Sequence, residues 1–90
     1  MKLTEVPSLA QGCRLSLSEG QPASILIPEG MLKLSASGQK IVELCDGVRS
    51  IEEIIASLQE GYDPSAHAQI AKDTIRFLER LHERRAVNLK

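Results

Sequence analysis

Ninety residues make one domain with a thin core. One Tyr, one Phe and no Trp leave that core to Leu, Ile, Val and Ala. A net charge of -1 argues against a nucleic-acid binder, which needs a basic footprint.

Residues 1–12 read as a flexible N-terminal leader, because Pro7 and Gly12 break any period. Residues 13–90 read as a single domain. Arg14–Leu17 alternates polar and apolar, as a half-buried strand does. Ser24–Ile27 is apolar and β-branched, and Met31–Leu34 follows the turn Pro28-Glu29-Gly30. Together these runs predict a three-stranded antiparallel meander.

The period then lengthens. Ser35 caps a helix with Ile41, Val42, Leu44 and Cys45 as its apolar stripe, closed by Asp46-Gly47. Ser50-Ile51-Glu52-Glu53 is a capping box, opening a helix with Ile51, Ile54, Ile55 and Leu58 on one face. Gly61 ends it. Asp63-Pro64 opens a third helix that runs to about Arg84 or Arg85, and Ala86–Leu89 suits a short terminal strand. Three strands followed by three helices give an α+β, winged-helix-like domain. Its last strand is an edge, with the long last helix beside it.

Catalytic and metal chemistry find little support. His67 and His82 lie fifteen positions apart on one helix and cannot share a metal, and no CxxC or HxxxH spacing occurs. Cys45 sits on an apolar stripe and reads as a core thiol; Cys13 falls just after the leader. Both thiols are expected to be reduced, since Met1–Glu5 does not resemble a signal peptide, and a cytoplasmic location follows. No cofactor site or membrane span is expected, and the chain is not read as an enzyme.

The third helix carries the most information. His67, Ile70, Thr74, Phe77, Leu78 and Leu81 form its core stripe, and Ala71 and Ile75 lie on a flank. Lys72, Arg76, Glu79 and Glu83 face away. The acids interleave with Arg76, Arg80 and Arg84, so Glu79–Arg76 and Glu83–Arg80 pairs at i,i+3 are expected. Two readings of the flank stand: it packs under the sheet, or it walls a groove in which the edge strand accepts an extended peptide.

Two runs resemble the PqqD family. Ile25–Leu34, with its Pro-Glu-Gly turn, is similar to the family's central hairpin. Ile41–Gly47 followed by Ser50–Ile54 is similar to its pair of short helices joined at Asp-Gly. The likeness extends over about residues 14 to 89. Aromatics that PqqD strands often carry are replaced here by Leu17 and Ile27, and a common Leu-Asn is Leu34-Ser35.

The resemblance implies a RiPP recognition element that binds the leader of a ribosomal precursor, PqqA. It would serve the radical SAM enzyme PqqE, which joins a Glu and a Tyr side chain of that peptide. It further implies strand addition at Met31, Leu32, Lys33 and Leu34, with Ala71, Ile75, Leu78 and His82 as the helix side. Arg76, Arg80 and Arg84 are expected to dock the enzyme. A recognition domain for another modified peptide and a winged-helix nucleic-acid binder are the alternatives. The exposed edge strand allows a monomer or a weak homodimer.

Overall fold

A computed structural model describes residues 1–90. Three strands form the expected antiparallel meander: β2 (Arg14–Ser16), β3 (Ser24–Ile27) and β4 (Gly30–Lys33), in the order β2-β3-β4. The hairpin between β3 and β4 pairs Ile27 with Gly30 across Pro28-Glu29. Gly30 has φ 148°, which a residue with a Cβ adopts only with strain.

The first two helices start where their caps predict, and the third starts three residues later than Pro64. In α1 (Ala36–Leu44), Ser35 Oγ accepts from the Gly38 amide at 3.1 Å. In α2 (Ile51–Gln59), the Ser50–Glu53 capping box is complete. Asp63 caps a short 3-10 turn, Pro64–Ala66, which leads into α3 (His67–Glu83).

Residues 1–12 depart from the expected loose leader. Strand β1 (Pro7–Leu9) pairs antiparallel with β5 (Val87–Leu89) in a second, two-stranded sheet. The amides of Val6 and Lys90 donate to each other's carbonyls, at 2.8 and 3.1 Å. The same segment completes the start of α2. A helix leaves its first amides without partners. The capping box satisfies those of Ser50 and Glu53. Carbonyls of Glu5 and Leu3 accept the amides of Ile51 and Glu52, at 2.9 and 3.0 Å. The leader is therefore held by its backbone, and also by Pro7, which is fully buried, and Leu9, which packs on the core.

The core has two parts. Ala23, Ile25, Leu34, Val42, Leu81, Ala86 and Val87 fill the space under the sheets. Ile41, Cys45, Ile51, Ile54, Ile55 and Leu78 join the three helices. Phe77 touches both parts. Cys45 is buried, with Sγ donating to the Ile41 carbonyl at 3.3 Å. Burial, helped by the neighbouring Asp46 carboxylate, pushes its thiol up to about 12, so it is unreactive at neutral pH. Both cysteines are free.

Three exposed carboxylates anchor the helix starts and turns, and each is held below its ordinary value by backbone amides. Arg49 and Val48 donate to Asp46, Ser50 to Glu53, and Ser65 to Asp63. The folded state favours these anions, so their contribution is full above the unfolded values of 3.8 and 4.5. It is lost as pH falls through the lower folded values. Thermal melts should show the midpoint dropping below about pH 4.5, and Glu53→Gln should reduce that acid loss. An identical acid profile for wild type and Glu53→Gln would show that the capping carboxylate contributes nothing.

Candidate functional site

Strand β4 has β3 on one side and no strand on the other. The direction of its backbone groups follows from the register. The Leu34 amide donates to the Ala23 carbonyl at 2.8 Å, so hydrogen-bonded pairs recur at every second residue: Ala23–Leu34, Ile25–Leu32 and Ile27–Gly30. Leu32 thus turns its N–H and C=O inward, to β3. Met31 and Lys33 turn theirs to the open edge. The opposite edge, β2, offers less. Arg14 and Ser16 bond Leu26 and Ser24, which leaves Leu15 alone facing out. An extended chain joining this sheet finds two outward residues on β4 and one on β2.

The side chains of the expected strand fall on two faces. Met31 and Lys33 are exposed, Leu32 is half-buried, and Leu34 is buried in the core under the sheet. Leu34 is therefore corrected from a ligand contact to a core residue, since its side chain shares the inner face with Ile25.

Helix α3 requires a larger correction. Leu78 is fully buried among Ile41, Ile51 and Ile54, and it cannot touch a ligand. Ala71 and Ile75 are half-buried against that same helical core. The flank expected to wall the groove is thus used by α1 and α2. His82 is exposed beside Met1, Glu5 and Leu89, in a depression near the N-terminus. None of the four helix residues assigned to the groove lines the open space beside the start of α1.

The other flank of α3 does border a groove. Asp73, Arg76, Phe77 and Arg80 line an open space of about 380 Å³ with Ser35, Gly38, Lys40 and Ile41 of the α1 start. Ser35 directly follows Leu34, so the groove begins where β4 ends. Gly38 permits this closeness. A Cβ there would stand 3.1 Å from the Phe77 ring, tighter than ordinary van der Waals contact. Lys40 and Phe77 are the residues that sequence reasoning missed as groove walls. The signal for Phe77 was its place at the edge of the stripe, away from Ala71.

Arg76 and Arg80 are exposed, and neither meets a carboxylate: the ion pair in the structure joins Arg49 to Asp46. The expected Glu79–Arg76 and Glu83–Arg80 pairs do not form. Arg84 caps the C-terminus of α3 and lies outside the groove. No helix is long and apolar enough to cross a membrane.

Known proteins are similar to this chain in sequence and in fold. Residues 23–87 match the family described as coenzyme PQQ synthesis protein D. A PqqA binding protein of Stutzerimonas stutzeri is 37% identical, covering 100% of this chain and 97% of its own length. One from Klebsiella pneumoniae is 36% identical over 88% of this chain and 85% of its own. The solution structure of the PqqD truncation of Methylobacterium extorquens PqqCD, a stand-alone RiPP recognition element, superposes with a TM-score of 0.76. It is 28% identical and covers 92% of this chain and 88% of that one. The match takes in the β3–β4 hairpin, both capped helices and all of α3, and on it this chain belongs to the PqqD family.

Proposed function

We propose that this chain is a non-catalytic adaptor that binds the precursor peptide PqqA and presents it to the radical SAM enzyme PqqE. The observation that carries this reading is the open edge of β4, where Met31 and Lys33 direct their backbone donors and acceptors outward. An extended peptide satisfies such groups by adding as a strand, and a neighbouring groove supplies pockets for its side chains. Relatives named for PqqA binding support the choice of peptide. Holding the peptide raises its effective concentration at the enzyme. Arg84, exposed beyond the groove, stays available for docking that enzyme.

The same edge governs self-association. Two copies pairing through β4 would occupy the groups a peptide needs, so precursor and homodimer compete for one site. Calorimetric titration with synthetic PqqA is expected to give saturable binding, and a labelled DNA duplex at low salt is expected to give none. Saturable duplex binding, with no heat from PqqA even when PqqE is present, would replace the adaptor reading with the nucleic-acid one.

A further inference from the structure

The groove at the end of β4 has an unbalanced charge. Lys40, Arg76 and Arg80 line it against one carboxylate, Asp73. Asp73 accepts a hydrogen bond from Gln69 at 2.8 Å and forms no ion pair with any of the three cations. Beneath the charges lie Phe77 and Ile41. Cations held over an apolar floor fit a ligand with carboxylates and an apolar side chain.

A strand added to β4 and continued past Ser35 enters this space. From that continuity and the charge we infer that the groove recognises an acidic segment of the bound peptide, with Arg76 and Arg80 engaging its carboxylates and an apolar residue seated on Phe77. This rests on the adaptor reading for the direction of the chain, and it moves Arg76 and Arg80 from enzyme docking to peptide selection. Exposed guanidiniums without partners are suited to this. They bind carboxylates bidentately and have no internal pair to break.

Three dye-labelled peptides of alternating Leu with Glu, Gln or Lys provide the probe, read by fluorescence anisotropy. The Glu peptide should bind wild type at least about tenfold more tightly than the Gln peptide, and the Lys peptide more weakly still. The double variant Arg76→Glu/Arg80→Glu should invert the order of Glu and Lys. Both positions are exposed, so circular dichroism should show an unchanged fold. Equal affinities for Glu and Lys peptides on wild type overturn the inference, as does the same order on the double variant or no binding by any of the three. Lys33→Pro separates the two levels. It removes an edge donor and should weaken all three peptides alike. If it changes none of them while the charge order holds, acidic selection stands and strand addition fails.

Discussion

Leu78→Ala is expected to cost about 2–5 kcal/mol of stability, as truncation of a fully buried Leu does when the cavity cannot collapse. Domains are stable by only about 5–15 kcal/mol in total, and a chain this small sits toward the lower end. Urea melts should therefore show a much lower midpoint, with part of the population unfolded before denaturant is added. Leu78 lies among Ile41, Ile51 and Ile54, at the junction of all three helices, so the loss should be cooperative across them. Peptide affinity per folded molecule should stay near that of wild type. A variant that melts normally but binds weakly would return Leu78 to the ligand face.

Two proline substitutions, one residue apart, are expected to behave in opposite ways. The Lys33 amide faces the open edge, where proline is tolerated. Lys33→Pro should fold normally and lose about 1–3 kcal/mol of binding, roughly 5- to 150-fold in Kd. Leu32→Pro should do the reverse. It deletes an amide bonded to Ile25, leaves that carbonyl without a partner, and drives the proline ring against β3. It should melt early and lose binding only through unfolding. Thermal melts and calorimetry on both proteins resolve the pair. Equal melting points, with binding lost only in Leu32→Pro, would show that the register has been read one residue out of phase.

What the sequence made legible was local chemistry. Ser35, the Ser50–Glu53 box and Asp63-Pro64 each act within a few residues, and Pro28-Glu29-Gly30 specifies its own turn. The features missed depend on distant partners. Strand β1 is three residues long and bonds β5, and the carbonyls of Leu3 and Glu5 just before it meet the start of α2, far along the chain. The end of α3 hid for a different reason. Arg85 takes φ 58° with its amide on the His82 carbonyl, while the Ala86 amide reaches Leu81. This is a Schellman closure with Arg in the position that usually holds Gly, so it carries no sequence mark. It turns Ala86 and Val87 into the core.

The groove was half legible for a geometric reason. A helical wheel locates the buried stripe of α3 at Thr74, Leu78 and Leu81. It has two flanks, and nothing in the period says which one meets the sheet. Ala71 and Ile75 looked the more apolar, and that same property fits them to pack on α1 and α2. The flank left beside the α1 start, with Arg76, Phe77 and Arg80, is the more polar one. The position of the strand Met31–Lys33 was legible, because an adjacent turn sets it. The side of α3 that borders the groove was not, because it depends on how α3 is rotated.

The central claim is strand addition at β4, and hydrogen exchange tests it most directly. Amide exchange of the isotopically labelled chain would be followed by NMR with and without saturating PqqA. Met31 and Lys33 should exchange quickly when free and slow markedly in the complex, while Leu32, already bonded to Ile25, should change little. Saturating peptide that leaves Met31 and Lys33 unprotected, or that protects Leu15 on the opposite edge instead, would contradict the account.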